Sequence, residues 1–397
     1  MKILVVCQYY YPEPFRISDI CEALVQQGHA VTVVTGTPNY PEGIIYPGYE
    51  KGQHGDEVIN GVRVHRCPLI PRKTGAIYRF LNYYSFVWSS RKYLLGMKED
   101  FDVVFVNQLS PVMMAQGALA WAKRRGKKCL LYCLDLWPES LLVGGVKKDS
   151  AIYKLFLKIS KAIYRKADAI LVSSKAFIDY FESTLGIPGK DIRWLPQYAE
   201  DMFGGVTGEA KEKDTVDFLL AGNIGTLQSV ETVVEAARLL QQDKKIHIHI
   251  VGGGISLDNC KALAEGLENI TFHGRHDVSE MPGFYAMADV MMVSLVKDPA
   301  LSANLPGKVQ SYMAAGKPIV GPIDGETARI VRDARCGMCS PAEDPAALAE
   351  TMRSIAAQPE KLPEYGENAR RYYQENFRKE IFISQLIRAL QDNAAAN

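Results

Sequence analysis

The chain has 397 residues, of which 47% are hydrophobic and 23% are charged. This length suits two domains of about 150–200 residues each, and the composition supports a buried core in both. No uncharged apolar run reaches the roughly 18 residues that a membrane-spanning helix needs, and the first residues lack the long apolar segment of a signal peptide. These features exclude an integral membrane protein and a secreted precursor, so a cytoplasmic protein is expected.

The net charge of +1 hides an asymmetry between the two halves of the chain. Residues 1–195 contain 26 Lys and Arg against 17 Asp and Glu, whereas the remainder contains 20 against 28. The basic half favours an anionic membrane or a phosphorylated acceptor as partner.

The first half alternates apolar runs with helical sequence. Strands are predicted at residues 2–10, 30–36, 102–108, 128–136 and 168–174, with a hairpin around 58–69. Ile17 to Gln27 is predicted to form a helix that ends before Gly28. Nearly continuous apolar strands separated by helices indicate a parallel sheet with both faces covered, which is the doubly wound α/β class.

The same pattern restarts in the second half. Strands are predicted at residues 215–225, 245–254, 269–275, 289–296 and 317–323. Residues 186–215 have the Gly, Pro and charge content of a linker, which places a boundary near Pro196. The sequence therefore predicts two Rossmann-like domains that face a central cleft. They comprise residues 1–195 and 196–378, and the last helix, 379–397, is expected to pack back on the first domain.

Two helix starts in the second half are candidate phosphate sites. Gly222-Asn223-Ile-Gly225 follows a strand and precedes a helix whose free N–H groups can meet an anion; a simple tight turn is the alternative. Lys308 follows Pro306-Gly307 in the first turn of another helix, where a cation opposes the helix dipole. That placement is reasonable if a diphosphate is bound between them, and a solvated lysine is the alternative.

Three further features of this half follow strands. His273-Gly274-Arg275 can offer backbone to a nucleobase and Arg275 to a phosphate, although a structural arginine is equally plausible. Gly252 and Gly253 allow a ligand to approach the backbone closely. Glu326 opens a helix, and capping alone is its leading interpretation.

The polar residues that end strands in the first half are candidates for acceptor binding. Asp135 and Glu139 follow the strand at 128–136, and either can orient an acceptor hydroxyl, with N-capping or ion pairing as the alternative. Glu13 and Arg16 lie in the loop after the first strand, where ordinary loop polarity is the alternative.

Residues 62–98 contain eight basic residues, no acidic one and many aromatic ones. Ile77 to Leu95 is long enough for an amphipathic helix lying in a bilayer interface, and an ordinary packed helix is the alternative. We expect this segment to dock on an anionic inner-membrane surface, with a second basic cluster at residues 123–128. No nucleic-acid-binding module is recognisable.

These motifs together resemble retaining glycosyltransferases of family 4, which have the GT-B fold. The resemblance covers nearly the whole chain. It is carried by the run from Tyr9 to Gly36, residues 37–43, Asp135 to Ser140, Gly222 to Gly225 and Lys308 to Pro318. These runs are similar to a subgroup that acts on O-antigen, capsule and colanic acid and includes L-fucosamine transferases.

The resemblance and the motifs together assign the site residues. Donor contacts are assigned to Gly222, Asn223, Gly225, Gly252, Gly253, His273, Gly274, Arg275, Pro306, Gly307, Lys308, Ser311 and Glu326. Acceptor contacts are assigned to Glu13, Arg16, Asn107, Asp135 and Trp137. Catalytic roles are assigned to Lys308, Arg275, Asp135 and Glu139.

The sequence departs from the family pattern at several positions. Ala303 and Ser311 stand where much of the family carries a pair of glutamates. Asn223 and Gln228 replace the usual Arg and Lys after the first strand of the second domain, and Asn107 falls near the family's His. Lys308 and Arg275 would then carry more of the phosphate charge.

The resemblance implies a retaining hexosyltransferase that moves an N-acetylated amino-deoxyhexose from a UDP-sugar to a polyprenyl-diphosphate-linked saccharide. UDP-sugar is the co-substrate, no other cofactor is expected, and the sequence shows no cluster of metal ligands. Two alternatives stay open: a catalytically silent sugar-nucleotide binder that scaffolds an assembly complex, and a sugar-nucleotide epimerase of the same fold.

Overall fold

The computed structural model describes residues 1–73, 75–206 and 214–395. The chain divides into two compact units. Unit 1 comprises residues 1–195 with 383–397, and unit 2 comprises residues 196–382. Each unit is a parallel α/β sheet with helices between its strands, so the doubly wound class predicted from the apolar runs is confirmed.

Unit 1 is built on a sheet of eight strands within its described residues, in the order β3-β4-β2-β1-β5-β6-β7-β8. The strands are β1 Lys2–Val6, β2 Ala30–Gly36, β3 Asp56–Ile59, β4 Val62–Cys67, β5 Val103–Gln108, β6 Cys129–Cys133, β7 Ala169–Val172 and β8 Asp191–Trp194. All pairs are parallel except the hairpin of β3 and β4, which the sequence predicted. The central strands are fully buried, as their apolar runs require.

The helices of unit 1 cover the two faces of this sheet. They are α1 Ile17–Gln26, α2 Ala76–Gly96, α3 Gln116–Arg125, α4 Ser140–Val143, α5 Ala151–Tyr164 and α6 Ala176–Asp179. A 3-10 turn lies at Glu50–Gly52, another at Val112–Ala115, and a π-helical turn at Tyr180–Thr184. Because crossovers between parallel strands are right-handed, the connections from β4 to β5, β5 to β6 and β6 to β7 place α2, α3 and α5 on one face, and α1 lies on the other.

Unit 2 repeats the architecture with six strands in its described part, in the order β11-β10-β9-β12-β13-β14, all parallel. The strands are β9 Val216–Ala221, β10 Ile246–Val251, β11 Ile270–Gly274, β12 Val290–Met292, β13 Ile319–Pro322 and β14 Gly337–Ser340. One face of this sheet packs under its helices in a continuous apolar core that includes Phe218, Ile248 and Met352.

Among the helices of unit 2, those at Gly307 and Gly325 begin where the sequence predicted a helix start. The helices of this unit are α7 Val230–Leu239, α8 Leu257–Leu263, α9 Met281–Met287, α10 Pro299–Ser302, α11 Gly307–Ala314, α12 Gly325–Ala334, α13 Pro345–Ala356, α14 Leu362–Asn376 and α15 Lys379–Ala394. Turns of 3-10 helix lie at Asp201–Phe203, Val278–Glu280 and Pro359–Lys361. Asp344 caps α13 by accepting a hydrogen bond from the N–H of Ala347 at 2.9 Å, and Pro345 follows it in the first turn. Helix α15 runs across the division and ends in unit 1.

Two strands were missed in the sequence. β8 lies inside the segment 186–215, so the interpretation of that whole segment as a linker is wrong. Its four residues include Asp and Arg and follow the turn-forming run Gly-Ile-Pro-Gly, so its composition does not indicate a short edge strand. β14 contains Cys339 and begins with glycine, so it lacks the β-branched signal.

The eight cysteines are free thiols, and burial raises the pKa of each one. Cys336 is buried and Cys339 half-buried, and burial raises the pKa of both to about 12. Cys336 and Cys339 are therefore part of the packing around β14.

The carboxyl ends of β9 and β10 approach each other at two glycines. Gly252 has φ of +150°, and a methyl group on its Cα would lie 1.8 Å from the carbonyl oxygen of Gly222. The N–H of Gly222 donates to the carbonyl of Val251 at 2.9 Å, which fixes this approach. Only glycine fits at residue 252 without displacing the loop after β9.

We therefore expect Gly252→Ala to lower the free energy of unfolding by more than about 2 kcal/mol, because the new methyl group would collide with backbone and the positive φ would be strained. Chemical unfolding of the full chain measures the effect. Gly283→Ala is the matched control: residue 283 lies in α9 with open space around its Cα, and this change should leave stability equal or slightly higher. Equal stabilities for the two variants would contradict the proposed contact.

Candidate functional site

Helix α11 is attached to the end of β9 by one face. The Tyr312 hydroxyl donates to the carbonyl of Ala221 at 3.3 Å, and Tyr312 is fully buried. Lys308 lies one turn earlier on the same face. A methyl group on Gly222 would lie 2.9 Å from the Lys308 Nζ, so the ammonium rests directly on this glycine. The structure thus brings together the two helix-start motifs that the sequence singled out.

Lys308 is a cation in a poorly hydrated place. Burial lowers the pKa of its amine to about 8. Within the described residues, no hydrogen bond or ion pair engages its Nζ. The start of α11 adds positive potential, because its N-cap Pro306 supplies no side-chain acceptor to the free N–H groups. An anion bound here would neutralise both.

The loop after β9 is closed by neutral side chains. Asn223 Nδ2 and the N–H of Gly225 both donate to Gln228 Oε1 at 3.1 Å. Asn223 and Gln228 are the positions where the family pattern has Arg and Lys. They bind each other and bring no charge, so Lys308 is the cation that the structure places against this loop.

The loops after β10 and β11 lie beside this glycine turn. The N–H of Gly252 donates to the carbonyl of Gly274 at 2.7 Å, and the N–H of Ile224 donates to Gly253 at 2.9 Å. A methyl group on Gly253 would lie 3.6 Å from Arg275 Cβ, and the Arg275 side chain is exposed. The predicted donor residues Gly222, Gly252, Gly253, Gly274, Arg275, Gly307 and Lys308 are therefore brought to one edge of the unit 2 sheet.

The His273 ring packs against neighbouring side chains. Its Nε2 lies 3.0 Å from His249 Nδ1, and its ring packs edge-on against Phe284. Burial and the neighbouring histidines lower the pKa of His273, so the ring is neutral at pH 7. The carbonyl oxygen of His273 lies 3.3 Å from His276 Nε2.

Two predicted donor side chains are already engaged. The Glu326 carboxylate is buried and receives hydrogen bonds from Arg329 at 2.6 and 3.1 Å. The Ser311 hydroxyl donates to the carbonyl of Gly307 at 3.4 Å inside α11. The structure favours the helix-start role for Glu326 over the donor contact, and Ser311 packs within its own helix.

In unit 1, Glu13 braces the loops after β1 and β2. Its Oε1 accepts from the N–H groups of Asn39 and Tyr40 at 2.8 Å each, and its Oε2 accepts from Tyr10 at 3.3 Å. The side chain is 2% exposed, and burial raises its pKa to about 7 against these hydrogen bonds. Both oxygens of the Glu13 carboxylate therefore accept backbone hydrogen bonds that position these loops, and its acceptor contact stays a prediction.

Arg72 lies at the same edge and was not identified as a site residue from sequence. Its guanidinium Cζ lies 5.7 Å from the Tyr40 ring centre and 5.8 Å from that of Tyr83. Tyr9 stacks on Phe15 at 4.8 Å and hydrogen-bonds Arg72. An arginine among aromatic rings is a typical environment for a saccharide or a phosphate.

A buried amide network holds Arg72 in place. Asn39 Oδ1 accepts from the N–H of Arg72 at 2.8 Å. Asn82 Nδ2 donates to the carbonyl of Ile70 at 2.7 Å, and Gln8 Nε2 donates to Asn82 Oδ1 at 2.8 Å. The sequence signal for this site was the presence of asparagine, tyrosine and arginine after three separate strands. Only the fold brings these residues close together.

Asp135, a predicted catalytic and acceptor residue, follows β6 and is half-buried. Its Oδ2 accepts from the N–H of Ser110 at 3.2 Å. Burial raises its pKa, opposed by Ser110 and by the charge of Arg72. The positive charge of Arg72 acts on Asp135, but the two side chains form no ion pair among the described residues.

Other predicted residues of unit 1 face inward. Glu139 is 6% exposed and accepts a hydrogen bond from the Tyr153 hydroxyl, which ties its loop to α5, and its catalytic role stays a prediction. Trp137 is buried edge-on against Phe156. Asn107 is 3% exposed at the end of β5, and half-buried Arg16 takes the N-cap position of α1.

The basic residues of segment 62–98 divide into those that form ion pairs within the fold and those that are exposed to solvent. Arg63 pairs with Glu99, and Arg66, almost fully buried, pairs with Glu57, so these two charges belong to the fold and not to the predicted membrane surface. Exposed basic side chains remain at Lys73, Arg79, Arg91, Lys92 and Lys98.

The second basic cluster is largely engaged as well. Arg124 and Arg125 donate to the carbonyls of Leu95 and Met97 after α2. Lys127 and Lys128 pair with acidic side chains. Most basic side chains of this cluster therefore bind other residues of unit 1.

No three His, Cys, Asp or Glu side chains in the described parts of the chain are arranged to share a metal ion. Helices long and apolar enough to cross a bilayer are absent from residues 1–73, 75–206 and 214–395.

The raised pKa of Glu13 predicts a pH-dependent stability. Between pH 4.5 and 7 the folded chain holds a proton that the unfolded chain has lost, so the free energy of unfolding falls as pH rises through this window. Glu13→Gln keeps an oxygen for Asn39 and Tyr40 and removes the titration. Relative to this variant, the wild type should lose about 2 kcal/mol of stability between pH 5 and pH 8, measured by urea unfolding.

Glu42→Gln, an exposed residue of the adjacent loop, is the control and should follow the wild-type pH profile. A wild-type profile parallel to that of Glu13→Gln would show that the Glu13 carboxyl titrates normally.

Comparison with known families assigns both halves of the chain. Residues 15–197 match the family model described as glycosyl transferase 4-like domain, and residues 215–358 match the one described as glycosyl transferases group 1. Together the two matches span most of both units.

Two relatives cover most of the chain. A protein of Escherichia coli K12 named as a colanic acid biosynthesis glycosyl transferase, WcaI, is 26% identical over 80% of this chain and 82% of its own. The O-antigen chain mannosyltransferase C of Escherichia coli is 23% identical over 98% of this chain and 97% of its own.

Solved structures share the fold. Sucrose-phosphate synthase from Thermosynechococcus elongatus superimposes with a TM-score of 0.76 at 18% identity over the full length of both chains. Anabaena HepE in complex with UDP superimposes with a TM-score of 0.71 at 13% identity over 99% of this chain and 100% of that one. The fold is GT-B, and with glycosyltransferase family matches in both units, the chain belongs to the group 1 glycosyltransferases.

Proposed function

We propose that this glycosyltransferase moves a sugar from a UDP-sugar to a lipid-linked saccharide during synthesis of a cell-surface polysaccharide, with retention at the anomeric carbon. The sugar proposed from sequence is an N-acetylated amino-deoxyhexose, and the acceptor carrier is a polyprenyl diphosphate. The names of the Escherichia coli relatives, which refer to colanic acid and O-antigen, support the pathway class. The observation that carries the proposal is the partnerless Lys308 ammonium on Gly222.

The donor diphosphate would bind where Lys308, the start of α11 and the glycine turns after β9 and β10 meet. The glycines let phosphate oxygens reach backbone N–H groups, and Lys308 regains electrostatic stabilisation when an anion replaces lost water. UDP is the proposed nucleotide because the fold neighbour HepE was solved with UDP and with UDP-glucose.

The chemistry needs charge stabilisation more than acid–base groups. As the sugar–phosphate bond breaks, negative charge grows on the leaving diphosphate, and a preorganised cation stabilises that state more than the ground state. Arg275 is exposed nearby and can reach the same phosphates. The acceptor hydroxyl would attack from the front face and give its proton to a phosphate oxygen. We propose that no metal ion is required, since Lys308 supplies the charge.

The acceptor saccharide would bind in unit 1 at Arg72, Asp135 and the rings of Tyr40 and Tyr83. Aromatic faces pack against the apolar faces of a sugar ring, while Arg72 donates to hydroxyl oxygens and Asp135 accepts from hydroxyl groups. The amide network behind Arg72 and the hydrogen bonds that Glu13 accepts hold these loops in place.

Helix α2 supports peripheral binding to an anionic inner-membrane surface. Its buried side carries Phe86 and Leu94, and the opposite side exposes Ile77, Phe80 and Trp88 by 74%, 53% and 80%. Such an apolar stripe facing solvent is typical of interfacial helices.

A catalytically silent nucleotide binder is the second candidate, since Ala303 and Ser311 replace the glutamate pair of the family pattern. It would bind donor at Lys308 without turnover. Release of free sugar or of a transferred product separates the two candidates. The epimerase alternative gains no support, because both family matches are to glycosyltransferases.

Replacing Lys308 by Met tests the donor site. The variant keeps the apolar stem and removes the charge, so kcat/KM for the donor should fall by about 100-fold or more, as for loss of a preorganised oxyanion contact. Because Lys308 is desolvated without a partner, the ligand-free variant should be at least as stable as wild type at pH 7. Steady-state kinetics and thermal unfolding measure the two effects.

The control for this test is Lys245→Met, an exposed lysine at the amino end of β10, which should leave both values unchanged. Thermal stabilisation by UDP-, GDP- and dTDP-sugars identifies the nucleotide, since a ligand of the folded state raises its apparent stability. Full donor turnover by Lys308→Met would overturn the assignment.

Replacing Arg72 by Gln tests the acceptor site. The KM for acceptor should rise about tenfold, because a charge-assisted hydrogen bond is lost, while the KM for donor stays constant. Lys73→Gln, at the adjacent exposed lysine, is the matched control and should leave both KM values unchanged. An equal rise in both KM values with Arg72→Gln would indicate a general structural role.

A further inference from the structure

Helix α5 exposes an apolar stripe beside a row of basic residues, and neither is used by the proposed chemistry. Ile152 is 58% exposed and Leu155 57%, and Ile159 lies one turn further along the same side, half-buried. Tyr153, Ser160 and Tyr164 form the buried side. The helical period therefore separates a packed face from an apolar face that meets water.

The basic residues flank this stripe. Lys154, Lys158, Lys161 and Arg165 follow one another at spacings of four, three and four, so they form a row on one side of the helix. Residues 147–166 contain seven basic residues and one acidic residue, Asp149. No ion pair within the described residues engages Lys147, Lys148, Lys154 or Lys158.

This arrangement fits a bilayer better than a protein surface. An apolar stripe with lysines along its edge matches acyl chains below and anionic headgroups at the same level, with the long lysine stems lying along the boundary. A protein partner would require acidic groups placed opposite each lysine, whereas a lipid headgroup layer supplies negative charge everywhere.

The position of α5 adds to the argument. Helices α2 and α5 lie on the same face of the unit 1 sheet, and both contact the 3-10 turn Val112–Ala115. The exposed stripe of α2 carries Ile77, Phe80 and Trp88, so two helices on one face of the sheet expose apolar side chains, together with basic residues that form no ion pair among the described residues.

We propose that α5 forms the second arm of a membrane-docking surface whose occupant is an anionic phospholipid bilayer. This proposal rests on the proposed function, in which the acceptor is carried by a lipid. Two arms on one face of unit 1 would fix its orientation on the membrane as well as hold it there. A single helix would leave rotation about its own axis free.

The test is co-sedimentation of the full-length protein with vesicles of phosphatidylcholine alone and of phosphatidylcholine with phosphatidylglycerol. Wild type should bind the mixed vesicles and bind the neutral ones weakly. Lys154→Glu with Lys158→Glu should weaken binding by about fivefold or more per lysine, and Ile152→Ser with Leu155→Ser should weaken it comparably.

Matched controls come from unit 2. Leu239→Ser removes an apolar side chain of α7 that is 50% exposed, and Lys244→Glu with Lys245→Glu reverses two exposed lysines. Both controls should bind vesicles like wild type. All variants should transfer sugar to a short-chain, water-soluble acceptor at the wild-type rate, because α5 is placed outside the acceptor site.

The outcomes distinguish this proposal from the proposed function. Vesicle binding that both α5 variants retain in full would overturn the docking arm, whether or not transfer is observed. So would wild-type self-association in analytical ultracentrifugation that the α5 variants abolish, since a second copy would then cover the face. Absence of transfer by wild type, with vesicle binding lost in the α5 variants, would reject the proposed reaction and leave the docking arm standing.

Discussion

The packing of α11 on the end of β9 is the constraint on which the donor chemistry depends. The hydrogen bond from Tyr312 to Ala221 fixes the helix, and its first turn then holds Lys308 on Gly222. Burial lowers the pKa of the amine, and no hydrogen bond or ion pair among the described residues engages it. In the proposed donor site, an anion such as a phosphate would relieve the electrostatic cost of this burial.

Much of the fold follows from local sequence. The buried strands are continuous apolar runs, and the helices of unit 2 begin where capping residues and Pro-Gly turns stand, as at Asp344 and Pro306. β8 and β14 were not predicted from sequence, because these four-residue edge strands gain their stability from pairing with β7 and β13, which composition does not reveal. The register that brings Gly222 to Gly252 is likewise a property of the sheet.

The site in unit 1 was predicted less completely, for a physical reason. Sequence shows where charges are but not which charges are already paired. Arg66 forms an ion pair with Glu57, and the Glu13 carboxyl accepts hydrogen bonds from N–H groups of the loop after β2. Arg72, in contrast, reaches its tyrosines through loops that follow different strands. Only the folded structure shows which charged side chains already have a partner and which can bind a ligand.

The shielding of the thiols has a practical consequence. Seven of the eight native cysteines are buried and Cys339 is half-buried, and burial raises the pKa of all eight, so at neutral pH the reactive thiolate is scarce and maleimides react with it slowly. A cysteine introduced at an exposed position can therefore be labelled selectively in the native chain. Fluorophores or spin labels can report on either unit without a cysteine-free background.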